Sequence, residues 1–213
     1  MIKHISNQAK YYRLPACKVT AKTAVILLGL FINCFLNPNE KMNQIASDRS
    51  ITDKEAVLKI AKFVWGKTLK NIEIVENKET KGLQLIVEYG GASALTFLDQ
   101  ENYSDVLKLE MAKYIFRMSR YGANRNLHSI RCSIVKPLFV KDEMWQEESV
   151  EEFEIFRVSI DTNSLKGIKN WSLENPFLET RQDLPTPEIL EVLKEIIKKW
   201  KVELDEFYRI KVK

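Results

Sequence analysis

The chain has 213 residues, 45% of them hydrophobic and 29% charged, which suits one folded domain with a real core, or two very small ones, and argues against a disordered chain. The net charge of +4 is unevenly placed: residues 1–50 hold seven Lys or Arg and two Asp or Glu, and subtraction from the totals of 33 and 29 leaves 26 and 27, a charge of −1, for residues 51–213. A near-neutral domain lacks the cationic surplus that phosphate contacts need, so nucleic acid is not expected as a partner.

Residues 1–22 carry five cations and no acid, and no charge appears between Lys22 and Glu40. The run from Thr23 to Leu36 is almost wholly apolar, broken by Asn33. A basic flank followed by such a run reads as a secretory signal or short signal anchor, with residues 23–36 as the membrane contact and the downstream domain outside the cytoplasmic membrane. The stretch falls short of the roughly 20 apolar residues of a comfortable span. The competing reading is a buried helix of a cytoplasmic protein. Cys34 follows Phe31-Ile32-Asn33, and lacks the small preceding residue expected of a lipid-modified cysteine. The organisation read from the chain is therefore a basic and apolar segment over 1–36, a polar linker over 37–51, and a domain over 52–213.

Thr52 and Glu55 have capping-box spacing and open a helix whose apolar face is Val57, Ile60, Ala61, Val64 and Trp65. A strand over 69–75 follows. A polar connection, 76–82, leads to a second strand in which Leu83, Leu85, Val87 and Tyr89 alternate, and Gly90-Gly91 closes it. Ser104 caps a second helix carrying Leu107, Met111, Tyr114, Ile115 and Met118 on one face, with Tyr121-Gly122 as a left-handed stop. Strands are expected over 127–135, with Ile130, Cys132 and Ile134 inward, and over 152–160, with Phe156, Val158 and Ile160 inward. Phe153 and Ile155 have the wrong parity for that face, which predicts a bulge or a strand covered on both sides. Thr186-Pro187-Glu188 starts a last helix with a stripe of Ile189, Val192, Leu193, Ile196, Ile197 and Trp200. The order α-β-β-α-β-β-α predicts an α+β fold, a four-stranded and mainly antiparallel sheet with helices on one face, preceded by the apolar N-terminal helix.

No chemistry stands out. Of two histidines, His4 and His128, only His128 falls in the domain, where it reads as a solvent-facing strand residue rather than a base or ligand. Asp142, Glu143, Glu147, Glu148, Glu151 and Glu152 crowd one connection without calcium-loop spacing. Asp161 reads as the cap of the turn that follows. Cys132 reads as a buried small hydrophobe. No catalytic residue, metal or cofactor is expected. Two features suggest recognition instead. Met144 and Trp145, in the acidic connection, could anchor a protein partner. Arg117, Arg120, Arg125 and Arg131, around the end of the second helix and the third strand, form an arginine concentration suited to an anionic ligand or partner. The reading is a non-catalytic binding or interaction domain, exported or anchored at the membrane. The alternatives are a small enzyme of the hydrolase type using a carboxylate or His128, and a cytoplasmic protein contacting nucleic acid through its basic N-terminus.

Overall fold

The computed structural model describes residues 38–77, 82–90, 100–141, 148–171 and 185–207. The chain divides into two units, Met1–Asn37 and Pro38–Lys213. The apolar segment 23–36, Cys34 and the expected N-terminal helix lie outside the described residues.

The second unit is α+β and builds one five-stranded mixed sheet. Its elements run α1 (Pro38–Ser47), α2 (Asp53–Trp65), β1 (Leu69–Glu76), β2 (Leu83–Tyr89), α3 (Gln100–Gly122), β3 (Leu127–Lys141), β4 (Glu148–Asp161), α4 (Pro187–Lys199) and β5 (Lys201–Asp205). Local signals placed several of these well. The Thr52 hydroxyl accepts from the Glu55 N–H at 3.2 Å and starts α2, and Thr186 caps α4 ahead of Pro187. Residues 38–47 form a helix whose Met42 is fully buried, so the expected linker over 37–51 is largely a helix of the domain. The left-handed residue after α3 is Asn126, at φ 54°, rather than Gly122, which stays helical.

The strand order is β1-β2-β3-β4-β5. Three neighbouring pairs are antiparallel, and β2 and β3 are parallel. The sheet thus has one strand more than the four expected, and its mainly antiparallel pairing is broken by one parallel pair. Helix α3 carries the chain back along the sheet between β2 and β3, and a crossover of this kind makes adjacent strands parallel. The fifth strand, β5, is too short and too exposed to show a period-2 pattern. Along β2, β3 and β4, alternate residues are buried on one face, from Leu85 and Val87 through Ile130, Cys132 and Ile134 to Phe156, Val158 and Ile160. They pack with Val57, Ile60, Met111, Ile115, Val192 and Ile196 of the helices into one core. The opposite face carries ion pairs, Arg131 with Glu203 at 2.7 Å and Arg157 with Glu154. The expected bulge is present: Ile134 faces Phe156 and Val135 faces Glu154, so Ile155 is skipped. Its carbonyl accepts from the Glu206 N–H at 2.8 Å.

Candidate functional site

Two features sit at opposite ends of β3. At the far end, β2 stops pairing at Tyr89 opposite Ile134, and β5 reaches only Phe156 of β4. Past that point Val135–Lys141 and Glu148–Glu154 pair only with each other among the described residues. At about 3.4 Å per residue this two-stranded arm is roughly 20 Å long. Its root is held closely. A Cβ on Gly90 would lie 1.9 Å from the Val135 carbonyl oxygen, so only glycine lets β2 end there. Lys70 of β1 forms an ion pair with Glu152. Lys136 is half-buried, and burial lowers the pKa of its ammonium against the opposing pull of the Glu110 carboxylate on α3. The connection at the arm's tip, residues 142–147, lies outside the described residues, and with it Met144 and Trp145.

The arginines flagged by their proximity in sequence have separate surroundings. Arg125 is 1% exposed. Its Nε donates to the Ala46 carbonyl at 2.8 Å, and its Nη2 donates to the carbonyls of Ile45, at 2.7 Å, and Asp48. Its Nη1 reaches the Ile51 carbonyl at 3.4 Å and Asp53 Oδ1 at 3.5 Å. The last carbonyls of a helix have no intrahelical donor, and Arg125 supplies one for α1 and the corner into α2. A side chain enclosed in this way is an internal clamp and offers no surface to an anionic partner. Arg117 donates to Asn39 Oδ1 at 3.4 Å, and the Tyr121 hydroxyl donates to the same oxygen at 3.2 Å, so α3 also grips the start of α1. Arg120 is partly exposed on α3. Arg131 pairs with Glu203 on the outer face of the sheet, so the four arginines are not brought into one site.

At the near end of β3, Leu83 faces Leu127 while Gln84 faces Ser129, leaving His128 as the extra residue of a bulge. Bulges re-aim side chains, and this one turns the imidazole over Gly82, where a Cβ would sit 2.4 Å from Nδ1. The His128 ring thereby enters the wall of an open pocket of about 300 Å³. Val75, Gln84 and Ser129 lie in one row across β1, β2 and β3, on the face away from the core. Alternation with Ile130, Cys132 and Ile134 would turn His128 inward, and the one-residue bulge is what turns it to the outer face.

The remaining polar candidates are structural. Asp161 Oδ1 accepts from the Asn163 N–H at 2.8 Å and caps the turn after β4. Cys132 is fully buried, and burial pushes its thiol pKa well up, away from the reactive thiolate. Trp65 and Trp200 are core residues. Among the described residues no cluster of His, Cys, Asp or Glu could hold a metal ion, and no described helix is long and apolar enough to cross a membrane. Comparison with protein-family models, with characterised proteins and with solved structures finds no match to this chain.

Proposed function

We propose that this protein is a non-catalytic binding domain, exported or anchored at the membrane through residues 23–36, that meets a protein partner with the tip of the β3–β4 arm. The observation that carries this reading is the arm: seven residue pairs that continue past every other strand of the described sheet. An isolated two-stranded ribbon is marginal in water, so an extension of this length is retained by what it docks against. Trp145 and Met144, in the sequence that connects its two strands, are residue types suited to protein interfaces. The basic flank and apolar run before the domain supply the targeting signal.

The test places a photo-crosslinking residue at position 145 of the full-length protein in its native cells, with position 62 on the exposed side of α2 as the control. A discrete crosslinked product from position 145 and none from position 62 is the expected result. Trp145→Ala leaves thermal stability within about 0.5 kcal/mol, as for a surface position. A loss of about 3 kcal/mol or more instead assigns Trp145 to a core and ends the partner reading. Protease added to intact cells stripped of any outer wall should digest the domain; digestion only after membrane lysis overturns the location.

A further inference from the structure

We propose that the pocket at the β2–β3 bulge is a second binding site, one that takes a small uncharged polyhydroxylated ligand such as a sugar ring. The inference is independent of the arm, which lies at the other end of β3.

The pocket lies where β1, β2 and β3 meet the ends of the β1–β2 connection. The Asn77 N–H donates to the Gly82 carbonyl at 2.9 Å and closes the β1–β2 connection, and the Leu83 N–H donates to the Asn126 carbonyl at 2.9 Å and fixes the start of β2 beside β3. These two bonds hold the backbone on both sides of the bulge. Gly82 allows the His128 ring to lie against the chain where any side chain would displace it. The bulge has a cost in lost pairing, and what it achieves is the placement of one imidazole in the pocket wall.

The chemistry of the wall selects the ligand. The side chains of Gln84, Ser129 and His128 contribute an amide, a hydroxyl and an imidazole to the wall, with the apolar surface of Val75 beside them. Val75 is 38% exposed on the outer face of the edge strand β1, so its apolar surface is open to a ligand. Each of the three polar groups can both donate and accept a hydrogen bond. None of the three has a side-chain partner among the described residues. Groups that donate and accept at once suit adjacent hydroxyls, which do the same, while a C–H face covers Val75. The volume is at the lower limit of small-molecule sites and fits a single ring.

The experiment titrates a panel of neutral monosaccharides, with and without an N-acetyl group, into isotope-labelled full-length protein, and follows the Gln84 side-chain amide and the His128 ring by NMR. Glucose 6-phosphate is the anionic comparison. The expected result is saturable shifts at Gln84, Ser129 and His128 with at least one neutral sugar, weakened about fivefold by Gln84→Ala, the loss of roughly one hydrogen bond. Gly82→Ala, which drives the His128 ring from its place, should weaken the same sugar at least as much. Because Gly82→Ala can disturb the bulge itself, Gln84→Ala with unchanged melting temperature is the deciding variant. No shift with any neutral sugar overturns the proposal, and so does tighter binding of the phosphate than of its neutral parent. Shifts that persist unchanged in Gln84→Ala overturn it as well, by locating the sugar elsewhere.

Discussion

Replacing Arg125 by Met should be among the most damaging substitutions in the domain although it lies outside both candidate sites. Arg125 is enclosed, 1% exposed, and gives hydrogen bonds to four backbone carbonyls around the α1–α2 corner. A hydrogen bond from a charged donor contributes about 1.5–3 kcal/mol, and a buried carbonyl left without a donor costs about 1–3 kcal/mol. Two of the four bonds, at 2.8 and 2.7 Å, have ordinary geometry, while the bond to Ile51 at 3.4 Å is weak. Methionine fills the volume and water reaches some of the freed carbonyls, so the net expected loss is about 3–5 kcal/mol. That is a large part of the 5–15 kcal/mol typical of a domain, and at about 2–4 °C per kcal/mol it lowers the melting temperature by roughly 10 °C. Arg125→Lys keeps a charge but loses the planar fork and should fall between the two. The ion pair with Asp53 is a minor part, since Asp53 is 43% exposed and the separation is 3.5 Å; Asp53→Asn should cost less than about 1 kcal/mol. Urea unfolding followed by tryptophan fluorescence measures the loss. Hydrogen exchange over residues 38–51 shows whether α1 undocks first. A cost below about 1 kcal/mol for Arg125→Met, with α1 still protected, would refute the clamp.

Two further expectations test the arm root and the core phenols. Gly90→Ala puts a Cβ 1.9 Å from a backbone oxygen that cannot swing aside, so it should cost about 1–3 kcal/mol and raise hydrogen exchange in 135–141 and 148–154; unchanged exchange there would show that the arm is held by something else. Burial, then the neighbouring Glu110 carboxylate, raise the Tyr114 pKa from 10.0 to about 12, and burial raises Tyr89 as well. An unfolded tyrosine loses its proton near 10 and the folded ones keep theirs, so stability should be level below pH 10 and fall as pH rises from 10 towards 12. The Tyr89 hydroxyl is buried without a hydrogen-bond partner among the described residues. Tyr89→Phe should therefore be neutral or stabilising by up to about 1 kcal/mol at pH 7 and make the alkaline decline shallower; a clear loss at pH 7 would reveal a partner for that hydroxyl.

The candidate sites show where sequence reasoning reached and where it stopped. Asp161 as a turn cap, Cys132 as an interior residue and the Trp65 and Trp200 helix faces were all legible, because each depends on residues within a turn or two. The arginines were not. Their closeness in sequence suggested one basic site, yet Arg125 lies past the end of α3 and points to a corner made about 75–80 residues earlier. His128 was expected to face solvent and does lie on the outer face, half-buried, but what sets its direction is how β3 registers against β2.

What the amino-acid sequence determined alone was the set of local elements: α2 and α4 from their caps and stripes, the strands from alternation, and the bulge near Ile155 from a break in parity. Hydrogen bonds and side-chain periods along a few residues are enough to settle those. The tertiary structure decided the parallel pairing of β2 with β3, the fifth strand, the docking of α1 beneath Arg125, and the turning of His128 into a pocket. Each of these depends on contacts between residues far apart in the chain, whose free energy exists only once the elements have packed.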